Sequence, residues 1–386
     1  MTTKRILFVF GTRPEAIKMA PLIKEVQKSR EFEARICVTA QHREMLDQVM
    51  RIFELKPDHD LNIMTKNQSL FDITSRIVSK LQEILAEEKP DMVVVQGDTT
   101  TTFAGALASY YTRTKVAHLE AGLRTGNKFA PFPEEINRRL TSVVADIHLA
   151  PTPWSRDNLL KENISPESIF VTGNTVIDAL FHVVSLLKKS NPDPVGIDSL
   201  FDGIDFSKKM VLITGHRREN FGEGFKNICE SISELAKRFT DVEFVYPVHF
   251  NPNVREPVNR ILRGIKNVHL IEPLDYEPFV YAMDKSYLIL TDSGGVQEEA
   301  SSLGKPVLVM RDTTERPEAV EAGTVKLVGT DKRKIVDGVE TLLSDQKEYL
   351  AMSRAHNPYG DGKASQRIVK IFEEYFEKES LAKSEQ

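Results

Sequence analysis

Continuous runs of apolar, β-branched residues alternate along this chain with amphipathic stretches of helical periodicity, and the alternation occurs twice. Arg5–Phe10 and Asp91–Gln96 are typical of buried strands, whereas Leu70–Glu88 carries apolar residues at helical spacing. A strand without polar alternation is typical of a parallel sheet that helices cover on both faces. The pattern therefore predicts an α/β fold with two doubly wound, Rossmann-like domains in tandem.

The predicted strands divide into two groups of five. Those of the first half are Arg5–Phe10, Arg35–Thr39, Asp91–Gln96, Lys115–Leu119 and Ile147–Ala150. Those of the second half are Met210–Thr214, Glu243–Val248, Val268–Ile271, Tyr287–Thr291 and Pro306–Met310. A segment rich in Pro, Gly and Asp separates the groups and is typical of a linker. We expect domains at 1–190 and 207–362, a linker at 191–206, and a terminal helix with its tail at 363–386.

Composition excludes several classes of protein. The 51 Lys and Arg are outnumbered by 56 Asp and Glu, for a net charge of −5, so no bulk positive charge is present to bind nucleic acid. The apolar runs are much shorter than a membrane span, and the N-terminal run is too short for a secretory signal. Cys37 and Cys229 are too few for a disulfide framework. We expect a cytoplasmic protein without a membrane or nucleic-acid partner.

The first predicted strand is followed by Gly11-Thr12-Arg13-Pro14, and Lys18 comes one helical turn later. A glycine turn before a helix N-terminus offers free N–H groups to an anion, and Arg13 could add a bidentate phosphate contact. The spacing is not that of a Walker loop. The alternative interpretation is an ordinary βα turn with a solvated Arg13.

Carboxyl side chains follow two further strands of the first half. Asp98 comes where a strand gives way to a helix, and its alternative role is a helix N-cap. Glu120 follows an apolar run; if it were buried without a partner its pKa would be raised, as in a proton-transfer group. The alternative for Glu120 is a salt bridge with Arg124.

A pair of carboxylates also begins the helix predicted at Glu134–Val144. Glu134/Arg138 and Glu135/Arg139 are spaced i,i+4, which is typical of a solvated helix face. By itself, this segment does not identify a site.

The strand ends of the second half carry more of the residue types that bind phosphate. Gly215-His216-Arg217-Arg218 suggests a diphosphate clamp, although His216 could instead be a hydrogen-bonded core histidine. Asp292-Ser293-Gly294-Gly295 comes just before a helix, and its glycines allow a phosphate to approach closely. Glu299, one turn into that helix, could accept hydrogen bonds from both hydroxyls of a ribose.

Taken in order, these motifs resemble those of the non-hydrolysing UDP-N-acetylglucosamine 2-epimerases, from about Arg5 to Gly362. They are GTRPEAIKMAPL, QGDTTTTFAGALA, HLEAGLRT, PFPEEINRRLT, GNTVIDAL, TGHRREN, PVHFNP, TDSGGVQEEA and RDTTERPEA. The resemblance implies the GT-B fold, in which two Rossmann-like domains face a central cleft and the C-terminal helix crosses back to the first domain. It also implies a homodimer that needs no metal and no cofactor.

The resemblance further implies the substrates UDP-N-acetylglucosamine and UDP-N-acetylmannosamine, and a role for each matching residue. The catalytic positions are Arg13, Lys18, Asp98, Glu120, Glu134 and His216. The UDP-binding positions are Arg13, His216, Leu274, Phe279, Ser293, Gly294, Gly295, Glu299 and Arg316, and the backbone around Leu274–Phe279 is expected to hold the uracil.

Some members of this family bind a second, activating UDP-N-acetylglucosamine. The matching positions are Gln41, Gln68, Glu134, Arg217 and His249. The chain departs from the family at two others, with Glu44 in place of a glutamine and Asn67 in place of an arginine. Loss of a cation and gain of an anion should weaken diphosphate binding, which lowers the expectation of activation by substrate.

The implied chemistry begins at C1 because the C2 proton of the sugar is not next to a carbonyl. Departure of UDP gives the ring oxocarbenium character, a carboxylate then removes the C2 proton, and UDP adds back to the resulting 2-acetamidoglucal. Two acid/base groups are needed, and cations must stabilise the departing diphosphate. Asp98, Glu120 and Glu134 are the unranked acid/base candidates, and Arg13, His216 and Arg316 are the cations.

Three other functions remain open at this point. A GT-B glycosyltransferase would use the same UDP pocket, but it needs one base rather than three carboxylates. A hydrolysing epimerase would release free N-acetylmannosamine. A catalytically inactive UDP-sugar sensor would bind without turnover, and the intact carboxylates argue against it.

Overall fold

The computed structural model describes residues 3–39, 43–65, 68–189 and 196–384. The chain divides into two compact units, Met1–Ala179 with Tyr359–Gln386, and Leu180–Pro358. The boundary falls inside the helix Thr175–Lys189. Of the segment predicted as a linker, residues 191–195 lie outside the described part, and Ile197–Leu200 is helical. The domain limits at 190 and 207 stay predictions.

The first unit is built on a parallel sheet of seven strands among the described residues. They are β1 (Lys4–Phe10), β2 (Phe32–Val38), β3 (His59–Asp60), β4 (Met92–Gln96), β5 (Lys115–Leu119), β6 (Ile147–Ala150) and β7 (Ile169–Val171). Their order is β3-β2-β1-β4-β5-β6-β7, with every neighbouring pair parallel. The winding direction reverses between β1 and β4, and ligands of such sheets bind at this switch point.

The second unit repeats this arrangement with six strands in the described part of the chain. They are β8 (Lys209–Thr214), β9 (Val242–Pro247), β10 (Val268–Ile271), β11 (Leu288–Thr291), β12 (Val307–Val309) and β13 (Val325–Leu327). Their order is β10-β9-β8-β11-β12-β13, again all parallel. The switch point of the second unit therefore lies between β8 and β11.

Helices connect the strands, as parallel pairing requires. Those up to the unit boundary are α1 (Arg13–Val26), α2 (Arg43–Ile52), α3 (Leu70–Glu88), α4 (Thr100–Tyr111), α5 (Glu134–Val144), α6 (Pro153–Lys161) and α7 (Thr175–Lys189). The later ones are α8 (Ile197–Leu200), α9 (Glu223–Arg238), α10 (Pro252–Leu262), α11 (Tyr276–Lys285), α12 (Gly294–Ser302), α13 (Pro317–Glu321), α14 (Lys332–Ser344), α15 (Gln346–Ser353) and α16 (Ala364–Ser384).

Each unit has its own apolar core. In the first unit, β1 and β4 pack against the apolar faces of α3 and α4, and α16 packs on α1, with Phe372 edge-on to Phe32 at a ring-centroid distance of 6.4 Å. In the second, α9 and α14 bury their apolar faces against the sheet. Each sheet is therefore packed within its own core. Close packing of this kind gives the loops at each switch point a rigid support.

The strand pattern confirms the predicted α/β architecture, and every strand predicted from the sequence is present within two or three residues. The strands β3, β7 and β13 were not predicted, because each has only two or three residues and lacks a long apolar run. Cys37 and Cys229 are buried, as expected, and burial raises the pKa of each thiol to about 12.

Two kinds of feature are absent from the described residues. None of the described helices combines the length and the apolar character that a membrane span requires. No group of three or more His, Cys, Asp or Glu side chains in the described part of the chain is arranged to hold a metal ion.

Candidate active site

In the turn after β1, the backbone passes very close to the side chain of Thr39. A Cβ added to Gly11 would lie 1.9 Å from Thr39 Oγ1, so only glycine fits there. Arg13 is the first residue of α1, and Lys18 follows on the same helix. The predicted turn before a helix N-terminus is therefore present in the first unit.

Glu15, which the sequence reasoning did not single out, connects this turn to the one after β4. Its Oε2 accepts from the backbone N–H groups of Gly11 and Thr12, at 3.1 and 2.8 Å. Its Oε1 accepts from the Thr99 hydroxyl at 2.7 Å. Burial raises the pKa of Glu15, while the hydrogen bonds from Thr99, Thr12 and Gly11 oppose the rise. The buried Glu15 carboxylate thus connects the turn after β1 to the turn after β4, on the two sides of the switch point.

Glu120 is buried at the end of β5, and it is well paired. Lys18 Nζ donates to both of its carboxylate oxygens, at 2.5 and 2.6 Å. Gln96 donates to Oε2 at 2.5 Å and Asn174 to Oε1 at 3.1 Å. The predicted alternative, a salt bridge with Arg124, is wrong, because Glu120 has φ +64° and ends the strand in a turn rather than a helix.

Arg124 has a different carboxylate partner. It makes a bidentate contact with Glu162, at 3.0 and 2.9 Å. A raised pKa was expected for Glu120 only if it were buried without a partner. Glu120 has partners, so that condition is not met.

Asp98 lies between β4 and α4 and contacts a cation from α5. Arg138 donates to Asp98 Oδ2 from Nε at 2.9 Å and from Nη2 at 2.6 Å. The helix cap is Thr99, whose side chain accepts from the backbone N–H of Thr102, so the N-cap alternative for Asp98 is wrong. Asn137 Nδ2 also donates to the Asp98 carbonyl at 2.9 Å. These contacts attach the start of α5 to the turn that carries Asp98.

The charged face of helix α5 is therefore not solvated, as the i,i+4 spacing of its charges had suggested it would be. Arg138 contacts Asp98 and Glu135 rather than Glu134, and Arg139 contacts Glu162. Glu134 is half-buried at the first residue of α5, and its Oε2 makes no hydrogen bond with the described residues. A half-buried carboxylate at a helix N-terminus is suited to meet a polar ligand.

Histidine at the end of β5 has a structural role. His118 is fully buried, and its Nε2 lies 2.7 Å from the carbonyl oxygen of Gly97. Burial lowers its pKa to about 3, so the imidazole is neutral near pH 7. It supports the turn that precedes Asp98.

In the second unit, His216 follows β8 and Asp292 follows β11, on the two sides of the switch point. Asp292 is fully buried, and its Oδ2 accepts from the backbone N–H groups of His216 and Arg217, at 2.9 and 2.8 Å. Its Oδ1 lies 3.6 Å from His216 Nδ1. The His216 side chain is 44% exposed, so the core-histidine alternative is wrong.

The pKa of His216 reflects opposing neighbours. Partial burial lowers it most, Asp292 raises it, and His249 and Arg217 lower it. The His249 ring stacks on that of His216, with centroids 5.4 Å apart. The net effect lowers the pKa of His216, and the negative charge of a bound anion would raise it again.

The turn after β11 carries the predicted glycines and contacts Arg316. Ser293 is the N-cap residue of α12, and Gly294 and Gly295 form its first turn. A Cβ at Gly294 would lie 2.6 Å from Arg316 Nη1. Arg316 Nε donates to the buried Glu298 at 2.5 Å. The guanidinium is therefore held beside a helix N-terminus, which is an arrangement suited to phosphate.

Glu299 is buried on α12 and meets α11. Tyr276 Oη donates to its Oε1 at 3.0 Å. Phe279 lies on α11, three residues after Tyr276, and Leu274 lies in the preceding turn; both are half-buried. The residues predicted for the nucleoside thus lie on two neighbouring helices, α11 and α12, and in the turn before α11, all in one unit.

The residues predicted for a second ligand are only partly described. Gln41 and Asn67 lie outside the described residues, and Glu44 is placed only as part of α2. Gln68 Nε2 donates to the Ile63 carbonyl at 2.5 Å, and its Oε1 makes no hydrogen bond within the described part of the chain.

Several residues of these sites were missed by sequence reasoning. They are Glu15, Gln96, Asn174, Tyr276, Asp292 and Glu298. Gln96 and Asp292 stand directly at strand ends, a signal that could have identified them; Tyr276 and Asn174 carried no local signal.

Comparison with known proteins agrees with this arrangement. The family model described as UDP-N-acetylglucosamine 2-epimerase matches residues 24–373. The chain is 60% identical over 365 residues to the UDP-N-acetylglucosamine 2-epimerase of Escherichia coli K12, covering 95% of this chain and 97% of the relative.

Solved structures similar to this chain are also UDP-N-acetylglucosamine 2-epimerases. The UDP-GlcNAc 2-epimerase of Neisseria meningitidis, bound to UDP-GlcNAc, is 55% identical, with a TM-score of 0.87 over 96% of this chain and 100% of that chain. The Methanocaldococcus jannaschii enzyme, in complex with UDP-GlcNAc and UDP, is 36% identical, with a TM-score of 0.78 over 95% and 99%. The predicted GT-B fold class is confirmed. The chain belongs to the UDP-N-acetylglucosamine 2-epimerase family.

Proposed function

We propose that this protein interconverts UDP-N-acetylglucosamine and UDP-N-acetylmannosamine by inverting the configuration at C2. The family membership supports the activity, and the observation that carries the chemistry is the buried Glu120 carboxylate with Lys18, Gln96 and Asn174 around it. Three donors fix the orientation of this carboxylate, as an acid/base group requires.

The first half of the reaction is an elimination. The C1–O bond breaks and its electron pair leaves with UDP, while the electrons of the C2–H bond form the C1=C2 double bond of 2-acetamidoglucal. The C2 proton goes to a carboxylate. Glu120 and Asp98 are each held by a cation, Lys18 and Arg138, and either carboxylate could take this proton.

The second half is the reverse addition with a proton delivered to the opposite face of C2. This step needs a second acid/base group, and Asp98, Glu120 and Glu134 remain the candidates for the two roles. Glu134 has an oxygen without a hydrogen bond to the described residues, which leaves it available to a substrate hydroxyl or proton.

UDP must be stabilised as it departs. We assign this role to the second unit, where His216, Ser293 and Arg316 supply donors to the diphosphate and Glu299 accepts from the ribose. Arg13 of the first unit is a further candidate. Preorganised cations at a leaving diphosphate are among the largest contributions to such catalysis.

A proton NMR time course with UDP-N-acetylglucosamine tests the proposed function. We expect UDP-N-acetylmannosamine to appear until both UDP-sugars coexist at equilibrium. Free N-acetylmannosamine with UDP would instead indicate a hydrolysing epimerase. Binding of the UDP-sugar without turnover would indicate a sensor, or a glycosyltransferase that lacks its acceptor.

A homodimer and a cytoplasmic location stay predictions, and so does the weaker diphosphate binding expected at a second, activating site. Light scattering on the eluting protein tests the dimer, and cell fractionation tests the location. Initial rates over a wide range of UDP-N-acetylglucosamine concentrations test the activation, because substrate activation makes the rate curve sigmoidal.

A further inference from the structure

Asp292 uses its two carboxylate oxygens differently. Oδ2 accepts from the backbone N–H groups of His216 and Arg217 and, at 3.3 Å, from Asn220 Nδ2. Oδ1 is buried, makes no hydrogen bond with the described residues, and lies 3.6 Å from His216 Nδ1. A buried carboxylate oxygen without a hydrogen bond is costly, so a small approach of the imidazole would be favourable.

The geometry points to Asp292 as a positioning residue for the proposed reaction, on which this inference rests. Its Oδ2 fixes the backbone of the turn after β8, and its Oδ1 accepts a hydrogen bond from the Nδ1–H of His216 once the imidazole closes the 3.6 Å separation. The imidazole then presents Nε2–H to the diphosphate and can take up a proton as negative charge develops on the departing UDP. A buried carboxylate that orients an imidazole through Nδ1 is the arrangement of the Ser-His-Asp triad.

The charges around His216 are consistent with this role. His249 stacks on the ring and Arg217 is the next residue, and both disfavour the imidazolium, as does partial burial. Among the described groups that act on the ring, Asp292 favours the charged form, whereas the others oppose it. Without the charge of Asp292, the pKa of His216 would fall further. The imidazole would then be harder to protonate at the pH at which it must stabilise the leaving diphosphate.

A double-mutant cycle separates this role from a purely structural one. We expect Asp292→Asn to lower kcat about 10–100-fold in the wild-type background, but less than about 3-fold in the His216→Gln background. Asp337→Asn, which removes an exposed carboxylate on α14, is the matched control and should change kcat little. Equal losses in both backgrounds would overturn the proposal.

Nuclear magnetic resonance of the wild-type protein tests the proposal without turnover. In protein labelled with ¹⁵N-histidine, and assigned with His216→Gln, we expect Nδ1 of His216 to be protonated when UDP is bound. A deprotonated Nδ1 would contradict the proposal, whether or not Asp292→Asn folds.

A titration of the unliganded protein covers the case in which UDP is not a ligand. We expect Asp292→Asn to lower the pKa of His216 by about one unit. No shift would overturn the role of Asp292. A shift in a protein that fails to convert UDP-N-acetylglucosamine would instead contradict the proposed function alone.

Discussion

Lys18 Nζ donates to both carboxylate oxygens of Glu120, at 2.5 and 2.6 Å, although the residues lie 102 positions apart. Helix α1 carries the ammonium and the turn after β5 carries the carboxylate. The pair is mostly buried, with 17% and 6% of the two side chains exposed. Removal of one partner from such a pair leaves an uncompensated charge in a poorly solvated place.

Substitution of Lys18 should therefore impair catalysis strongly. We expect Lys18→Met to lower the turnover of UDP-N-acetylglucosamine about 10²–10³-fold, because Glu120 loses its cation and one of the donors that orient it. Lys24→Met on the same helix is the matched control, since Lys24 is 3.7 Å from the exposed Glu54 and such pairs contribute little. Steady-state kinetics check both variants, and similar losses would contradict the role of Lys18.

Arg138 and Arg139 are neighbours in the sequence with different partners. Arg138→Met removes the cation that contacts Asp98, and we expect turnover to fall about 10²-fold, the lower limit for loss of acid/base assistance. Arg139→Met removes a half-exposed side chain 3.3 Å from Glu162 and should reduce turnover less than about 3-fold. The account fails here if Arg138→Met retains normal turnover.

Tyr276 should matter for nucleotide binding rather than for proton transfer. Tyr276→Phe removes the hydrogen bond to Glu299, and we expect the Kd for UDP to rise about 3–10-fold, the value of one hydrogen bond. Tyr281→Phe on the same helix, whose ring packs on Phe201 and Phe206, is the control. Titration calorimetry with UDP measures both, and an unchanged Kd for Tyr276→Phe would contradict the role of Glu299.

The architecture could be predicted from the sequence because parallel strands are locally visible. A strand such as Met92–Gln96 is apolar at four of five positions, and its neighbours in the chain have helical periodicity. Strand β3 has only His59 and Asp60, which no periodicity distinguishes from a turn. Its position at the edge of the sheet depends on contacts with β2, and such contacts are invisible in a single sequence.

The candidate site was predicted residue by residue, but its pairings were not. The alternative interpretations paired Glu120 with Arg124, and Arg138 with Glu134, by their spacing. Both pairings assumed that a partner lies four residues away, whereas the actual partners, Lys18 on α1 and Asp98 after β4, come from distant parts of the chain. Pairing across a sheet depends on topology, so the residue types at strand ends indicate a site before they indicate its geometry.

The contact of Glu315 with Arg311 predicts a pH dependence of stability. Burial raises the pKa of Glu315, but the hydrogen bond and charge of Arg311 outweigh it and lower the pKa from 4.5 to about 2. The folded state therefore binds fewer protons than the unfolded state between these values. The stabilisation is present above pH 4.5 and is lost as the pH falls towards 2.

Glu315→Gln tests that dependence. We expect the variant to be less stable than the wild type by about 1–2 kcal/mol at pH 7, and the difference to shrink below pH 4.5. Urea unfolding at several pH values measures it. Glu321→Gln, which neutralises an exposed carboxylate of the same unit, is the control. A difference that is independent of pH would contradict the ion-pair explanation.

Conversion of UDP-N-acetylglucosamine in deuterated water, followed by NMR, tests most directly whether the C2 proton is removed and replaced. A carboxylate that has taken the C2 proton exchanges it with solvent, and a different group protonates the opposite face. The account predicts UDP-N-acetylmannosamine with deuterium at C2. Product that retains protium at C2 would contradict elimination and re-addition through solvent-exchanging carboxylates.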